Sequence, residues 1–164
     1  MSYRYRVGFT DVDFARIMFS GDYYRWAERG FEAWCQESGL HWRRMIEDLA
    51  VGLPSIETRC HHLAPLAYED EFDVCLGVRD LTDRGFVSDF ELYRVKDGVL
   101  AAHGYFNRRF LDMRTLRGRS DIPEEAAAVF RALEAQTDLM PYADRREQLR
   151  SARQSTQPAT TPGA

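Results

Sequence analysis

The longest periodic segment of the chain begins at Asp22. Apolar side chains recur there at spacings of three and four residues, and charged or amide side chains occupy the positions between them. This spacing puts the apolar residues on one face of an α-helix. It predicts a helix over residues 22–38 that ends before Gly39, because glycine commonly follows the last helical turn. The predicted buried face consists of Tyr23, Trp26, Ala27, Gly30, Phe31, Trp34 and Cys35.

Strands are predicted where apolar and polar residues alternate. The alternation is clearest over residues 71–78. Asp97 and Gly98 form a pair typical of a hairpin turn, so the segments on either side of them should be neighbours. Pro65 indicates that the strand before it lies at a sheet edge or contains a bulge. The five segments interpreted as strands are residues 3–10, 53–64, 71–78, 86–95 and 99–111.

The order of these elements predicts the fold class. A strand is followed by the long helix, a short second helix over residues 41–49, and four further strands. A last helix begins at Pro123, a favoured first-turn residue, and continues to about Ala135. This order predicts an α+β fold in which one antiparallel sheet of about five strands wraps around the helix at 22–38.

The C-terminal part of the chain differs in composition from the rest. We expect residues 1–135 to form the main domain and residues 136–153 to form a charged extension that can be helical from Asp144. Residues 154–164 are rich in proline, threonine, alanine and glutamine. Such a composition cannot bury much apolar surface, so this tail is predicted to be disordered.

Composition and charge argue against several functional classes. The chain has 164 residues and a formal net charge of −4, which argues against a nucleic-acid-binding protein. Residues 1–7 contain no apolar run of a signal peptide, and no segment reaches membrane-spanning length. We therefore expect a cytoplasmic protein without a membrane partner. The three widely spaced cysteines do not indicate a disulfide framework or a zinc site, and no metal or cofactor is predicted.

Three histidines fall on predicted strands. His61 and His62 are adjacent, so their side chains should point to opposite faces of the sheet and cannot both reach one metal site. His103 has a side chain suited to carbonyl chemistry, but no surrounding motif supports that role. It is interpreted as structural.

The candidate chemistry lies just before the long helix. Asp11 and Asp13 occupy a turn after the first strand, and Ser20 and Gly21 stand where the helix should begin, with Ser20 as a possible cap. Free N–H groups at a helix start can polarise a carbonyl oxygen, and a nearby carboxylate can attack it or deprotonate water. The alternative is that both aspartates only cap their own turn. The absence of a G-x-S-x-G segment argues against a serine hydrolase.

The run D-V-D-F-A-R-I-M-F-S-G-D-Y-Y-R-W, residues 11–26, resembles the signature of the 4-hydroxybenzoyl-CoA thioesterase-like branch of the hot-dog-fold acyl-CoA thioesterases. The likeness extends over residues 3–133 and implies the same α+β architecture. It also implies that the second aspartate, Asp13, is the catalytic carboxylate. The sequence departs from the signature at Arg16, Gly21 and Asp22, where glycine, proline or histidine, and asparagine are usual.

The resemblance further implies an acyl-CoA substrate and a site at the boundary between subunits of a homo-oligomer, either a dimer or a tetramer. Ser20 and Gly21 would supply the oxyanion donors. Phe14 and Phe19 are candidates for the acyl pocket, and Arg84 is a candidate for binding the CoA phosphates. Two alternatives stay open: a thioesterase acting on acyl groups attached to a carrier protein, and a non-catalytic acyl-CoA-binding protein.

Overall fold

A computed structural model describes residues 1–156 of the chain. In chain order the strands are β1 (Ser2–Arg6), β2 (Val51–Gly52), β3 (Ser55–His62), β4 (Glu71–Arg79), β5 (Gly85–Arg94), β6 (Val99–Arg109), β7 (Leu111–Asp112) and β8 (Arg117–Gly118). The main sheet is antiparallel and has five strands in the order β1-β4-β5-β6-β3. The predicted sheet of about five strands is confirmed, with β1 and β3 at its edges. A small second sheet, β2-β7-β8, was not predicted.

The long helix α1 (Ser20–Glu37) packs its apolar face against this sheet. All seven residues of the predicted buried face are buried. Gly30 lies where the helix packs closely against β4, because an added Cβ would come 3.0 Å from Cδ1 of Leu76 and 3.3 Å from Cγ1 of Val74. Gly39 has φ of +90°, which explains why glycine follows the helix. The α+β prediction, with a sheet wrapped around one helix, is confirmed.

The remaining helical segments are shorter. A 3-10 turn covers Phe9–Asp11 and a π-helical turn covers Arg44–Asp48, inside the segment predicted as the short second helix. Helix α2 (Glu124–Ala135) begins one residue later than predicted, because Pro123 occupies its N-cap position rather than its first turn. Within residues 1–156, none of the helices combines the length and the apolar character needed to cross a bilayer.

The C-terminal extension packs against the sheet through helix α3 (Tyr142–Thr156). The Tyr142 ring is buried and stacks on His103 of β6 at 5.0 Å between ring centroids. The Arg145 guanidinium forms an ion pair with Glu91, whose side chain is 3% exposed. The extension therefore covers the face of the sheet that carries Glu91 and His103. Its helix begins before Asp144 and continues to Thr156, into the segment predicted to be disordered. The rest of that tail, residues 157–164, lies outside the described residues.

Candidate active site

The loop between the 3-10 turn and α1 folds back on itself at Asp13. The Asp13 N–H donates to the carbonyl of Ile17 at 3.1 Å, and the Arg16 N–H donates to the carbonyl of Asp13 at 2.9 Å. The Met18 N–H then bonds to the carbonyl of Leu66 at 2.7 Å, which ties the loop to the segment before β4. Arg16 takes φ of +62°, a left-handed conformation that favours glycine. The fold-back places Asp13 beside the start of α1.

Asp13 lines a cleft of about 510 Å³ next to that helix start. The carboxylate is partly buried, and its Oδ1 accepts the N–H of Ala15 at 2.8 Å. That bond fixes the turn and leaves lone pairs on the carboxylate available to a ligand. Apart from Asp13, Ser20 and His62, the lining is apolar or aromatic. The lining residues are Asp13, Ile17, Met18, Phe19, Ser20, Tyr23, His62, Leu63, Ala64 and Pro65.

The first turn of α1 meets the cleft at Ser20, whereas Gly21 is not among the residues lining it. Phe19 occupies the N-cap position without a capping side chain, so the prediction that Ser20 caps the helix is wrong: Ser20 is its first residue. The Phe19 N–H bonds to the carbonyl of Asp11 at 2.8 Å, and the Asp22 N–H bonds to that of Phe19 at 2.9 Å. The N–H groups of Ser20 and Gly21 belong to the first helical turn, where amides have no acceptor within the helix, and they lie at the positive end of the helix dipole.

Asp11 has a structural position. Its side chain is 5% exposed, pairs with the guanidinium of Arg25, and accepts the Gly8 N–H at 2.7 Å. Arg25 also reaches Asp22 at 3.2 Å. Burial raises the pKa of Asp22, the Asp11 charge raises it further, and the Arg25 charge opposes both. Asp22, which stands where the signature usually has asparagine, is therefore paired with Arg25.

The other predicted substrate-binding residues differ in position. Phe19 lines the cleft, and its ring lies over Gly21, since a Cβ there would come 3.0 Å from the ring. Phe14 is fully exposed at the tip of the loop and is not among the residues lining the cleft, because the tight turn directs it to solvent. Arg84 is exposed in the turn before β5, whereas the cleft lies at the other end of that strand, where Arg94 donates to the carbonyl of Pro65 at 2.7 Å. Ten residues of strand separate the two ends by roughly 30 Å, so Arg84 cannot reach the Asp13 cleft of its own chain.

The sequence patterns missed the wall formed by the end of β3. His62 points into the cleft, with Nε2 3.4 Å from the Ser20 carbonyl oxygen and its ring edge-on to Tyr23 at 4.7 Å. His61 faces the other side of the sheet and contacts His103 at 5.3 Å between ring centroids. The prediction that these neighbours point to opposite faces is confirmed. Among residues 1–156, no group of three histidine, cysteine, aspartate or glutamate side chains is arranged to hold a metal ion.

Comparison with known proteins gives the same architecture. The sequence profile of the thioesterase-like superfamily matches residues 7–130. A gentisyl-coenzyme A thioesterase is 26% identical, with 79% of this chain and 99% of that one covered and a TM-score of 0.67. A 1,4-dihydroxy-2-naphthoyl-CoA thioesterase from Synechocystis is 17% identical, with 81% and 96% covered and a TM-score of 0.73. A Staphylococcus aureus protein solved in complex with CoA is 20% identical, with 98% and 94% covered and a TM-score of 0.75.

Proposed function

The chain belongs to the thioesterase-like superfamily and is a thioester hydrolase, and on this premise we propose that it hydrolyses acyl-CoA with Asp13 as the reacting carboxylate. The observation that carries the proposal is the position of Asp13. Its carboxylate lies in an apolar cleft together with Ser20, the first residue of α1. A thioester needs an oxyanion donor, a carboxylate and water, and in this proposal the start of α1 and Asp13 supply the first two. Membership of the 4-hydroxybenzoyl-CoA branch stays a prediction.

The N–H groups of Ser20 and Gly21 are proposed as the oxyanion donors. They would bind the thioester carbonyl oxygen as negative charge develops on it, and the helix dipole would add to that stabilisation. Two routes are open to Asp13. Its carboxylate attacks the carbonyl carbon, releases the CoA thiolate and forms a mixed anhydride that water hydrolyses. Alternatively, it takes a proton from a water molecule that attacks the same carbon.

The cleft favours an acyl group with a sizeable apolar part. Its walls include Ile17, Phe19, Tyr23, Leu63 and Pro65, and its volume is in the range of small-molecule sites. Two of the similar structures are named as thioesterases of aromatic acyl-CoAs, gentisyl and 1,4-dihydroxy-2-naphthoyl. An aromatic acyl-CoA is therefore the first substrate to test, with medium-chain acyl-CoAs second.

A second subunit would bring Arg84 into reach of the substrate. Strand β3 is an exposed sheet edge, and an exposed edge is a liability unless another strand covers it. If two β3 strands pair antiparallel, the end of one subunit's sheet that carries Arg84 lies beside the other subunit's Asp13 end. We propose this dimer, alone or within a tetramer, as the active form. Arg84 then acts on CoA bound across the subunit boundary.

The direct test is a hydrolysis screen that measures thiol release from aromatic, short, medium and long acyl-CoAs. We expect turnover that is highest for an aromatic or medium-chain substrate. If the protein binds these compounds without releasing thiol, the non-catalytic alternative is correct. If an acyl group on a carrier protein is hydrolysed much faster than the same group on CoA, the carrier-protein alternative is correct.

The role of Arg84 is tested on the best substrate of that screen. Arg84→Ala should raise KM with little change in kcat, because a contact to the CoA phosphates is equally strong in the ground state and the transition state. Arg114→Ala, at an exposed arginine of the β7–β8 turn, is the control and should leave KM unchanged. An unchanged KM for Arg84→Ala at low ionic strength would remove Arg84 from the site.

A further inference from the structure

A second cleft lies on the outer face of the sheet, beneath helix α3. Its volume is about 190 Å³, and it is lined by His61, Leu63, His103, Arg146, Leu149 and Arg150. It is separate from the Asp13 cleft, because His61 and His62 point to opposite faces of β3. Only Leu63 borders both clefts. Thioester hydrolysis at Asp13 gives no role to these basic side chains.

The side chains of this cleft carry unbalanced positive charge. Arg146 and Arg150 are one helical turn apart on α3, so their guanidinium groups extend on the same side of the helix. Among the side chains described for residues 1–152, neither has a carboxylate within ion-pair distance. The neighbouring Arg145 differs, since it is paired with Glu91 and thereby neutralises the buried acid of this region.

His103 adds a buried polar group without a partner. Its side chain is 1% exposed, and its Nδ1 has no hydrogen-bond partner among the described residues. Stacking on Tyr142 at 5.0 Å and edge contact with His61 at 5.3 Å fix the ring at the floor of the cleft. An unsatisfied buried nitrogen destabilises a fold, and such groups call for a water, an ion or a ligand.

The local electrostatics favour an anion as that ligand. Burial is the main cause that lowers the pKa of the His103 imidazole, His61, Arg145 and Arg146 act in the same direction, Glu91 opposes them, and the resulting pKa is about 4. Burial also lowers the pKa of His61, aided by Arg146, Arg59 and Arg150. Both rings are therefore neutral in a positive field. A neutral imidazole protonated on Nδ1 can donate one hydrogen bond to an oxyanion.

We propose that the cleft beneath α3 binds a phosphate-class oxyanion, held by the guanidinium groups of Arg146 and Arg150 and by the Nδ1–H of His103. Arginine offers paired donors that match phosphate oxygens, and the imidazole N–H would add a third, neutral donor. The cleft has room for a phosphate group and excludes a whole nucleotide. The phosphate is either inorganic or a terminal phosphate of CoA that enters with the rest of the molecule outside.

The test is calorimetric titration of the full chain with inorganic phosphate at neutral pH and constant ionic strength. We expect one saturable site. The double variant Arg146→Gln, Arg150→Gln should weaken phosphate binding about tenfold or more, because it removes the charge-assisted hydrogen bonds. The double variant Arg114→Gln, Arg117→Gln removes the same charge from exposed positions, one in the β7–β8 turn and one at the start of β8, and should bind as the wild type does. If both double variants weaken phosphate binding equally, the loss comes from the change in net charge, and the proposal is overturned.

Histidine ring resonances locate the anion independently of any substitution. Phosphate should shift the resonances of His61 and His103 and leave those of His41 and His62 in place. Displacement of phosphate by desulfo-CoA, which lacks the reacting sulfur, identifies a CoA phosphate as the ligand, and binding without displacement identifies free phosphate. Absence of saturable binding, or shifts at His41 and His62 alone, shows an adventitious ion only and rejects the site.

Discussion

Two aspartates separated by one residue have different environments. Asp11 is buried against Arg25 and caps the turn at Gly8, whereas Asp13 opens onto an apolar cleft. The sequence predicted that Asp13 lies near Ser20, because the turn and the helix start are formed by residues close together in the chain. It did not show that Asp11 is paired, because its partner Arg25 lies 14 residues later in the chain, on helix α1.

Phe14 and Arg16 show where local patterns are insufficient. Phe14 was predicted in the pocket because it is aromatic and adjacent to Asp13, but the turn points it to solvent. Arg16 was recognised as a departure from glycine, and its φ of +62° gives the physical reason for glycine at this position. The conformation of the backbone turn determines both the exposure of Phe14 and the positive φ of Arg16, and the pattern of hydrophobic residues does not predict that conformation.

His103 makes stability depend on pH in a predictable direction. Its folded pKa is about 4, against an ordinary value of 6.5, chiefly because the ring is buried. The unfolded chain therefore binds more protons between these pH values, and stability falls as pH decreases through that window. The free energy of unfolding should decrease by about 2 kcal/mol from pH 7 to pH 5 on account of His103.

Urea unfolding at the two pH values, in buffer without phosphate, measures this dependence. His103→Asn should remove most of the loss between pH 7 and pH 5, since an amide does not titrate there. If the variant and the wild type lose the same stability over this interval, His103 is not the group responsible.

At the scale of elements, periodicity predicted what is long and regular. Helix α1 and the five strands of the main sheet carry enough residues to show a period of 3.6 or 2. Strands β2, β7 and β8 have two residues each, which is too short to show a period, so they were missed. The wall at Leu63, Ala64 and Pro65 was missed for a different reason. About 50 residues separate it from Asp13, and long-range contacts such as the Met18–Leu66 hydrogen bond bring the two together.

The exposed edge of β3 predicts the mode of assembly. Ile56 on this strand is 59% exposed, and the edge has no partner strand within the described chain. Ile56→Asp should shift the protein towards monomer in light scattering, because a buried charge opposes strand pairing across the edge. Ile46→Asp is the matched control, since Ile46 is 37% exposed on the π-helical turn away from the edge. A wild-type protein that is monomeric at micromolar concentration would contradict the assembly.

At the scale of the whole molecule, the extension beyond residue 135 is part of the main fold. It supplies Arg145 to the buried Glu91, and Thr137 accepts the N–H of Val78 at 2.7 Å. Truncation after Ala135 leaves Glu91 without its cation, and removing one partner of a buried pair costs several kcal/mol, about 3–5. We expect this truncated chain to unfold at a much lower urea concentration than the full chain.

Truncation after Thr156 is the control for that comparison. It removes residues 157–164, whose proline- and threonine-rich composition can bury little apolar surface, and should leave the unfolding midpoint unchanged. Equal stability of the chain ended at Ala135 and the chain ended at Thr156 would show that α3 contributes nothing to the fold.

The proposed hydrolysis depends on the carboxylate of Asp13, and its most direct test is the kcat of Asp13→Asn on the best acyl-CoA. Asparagine keeps the size of the side chain and removes the base, so kcat should fall by about 10²–10⁴ while substrate still binds. Asp11→Asn, compared per folded molecule, should lose far less activity because Asp11 serves the turn and Arg25. Near wild-type turnover by Asp13→Asn would contradict the account and move the search for the reacting group elsewhere in the molecule.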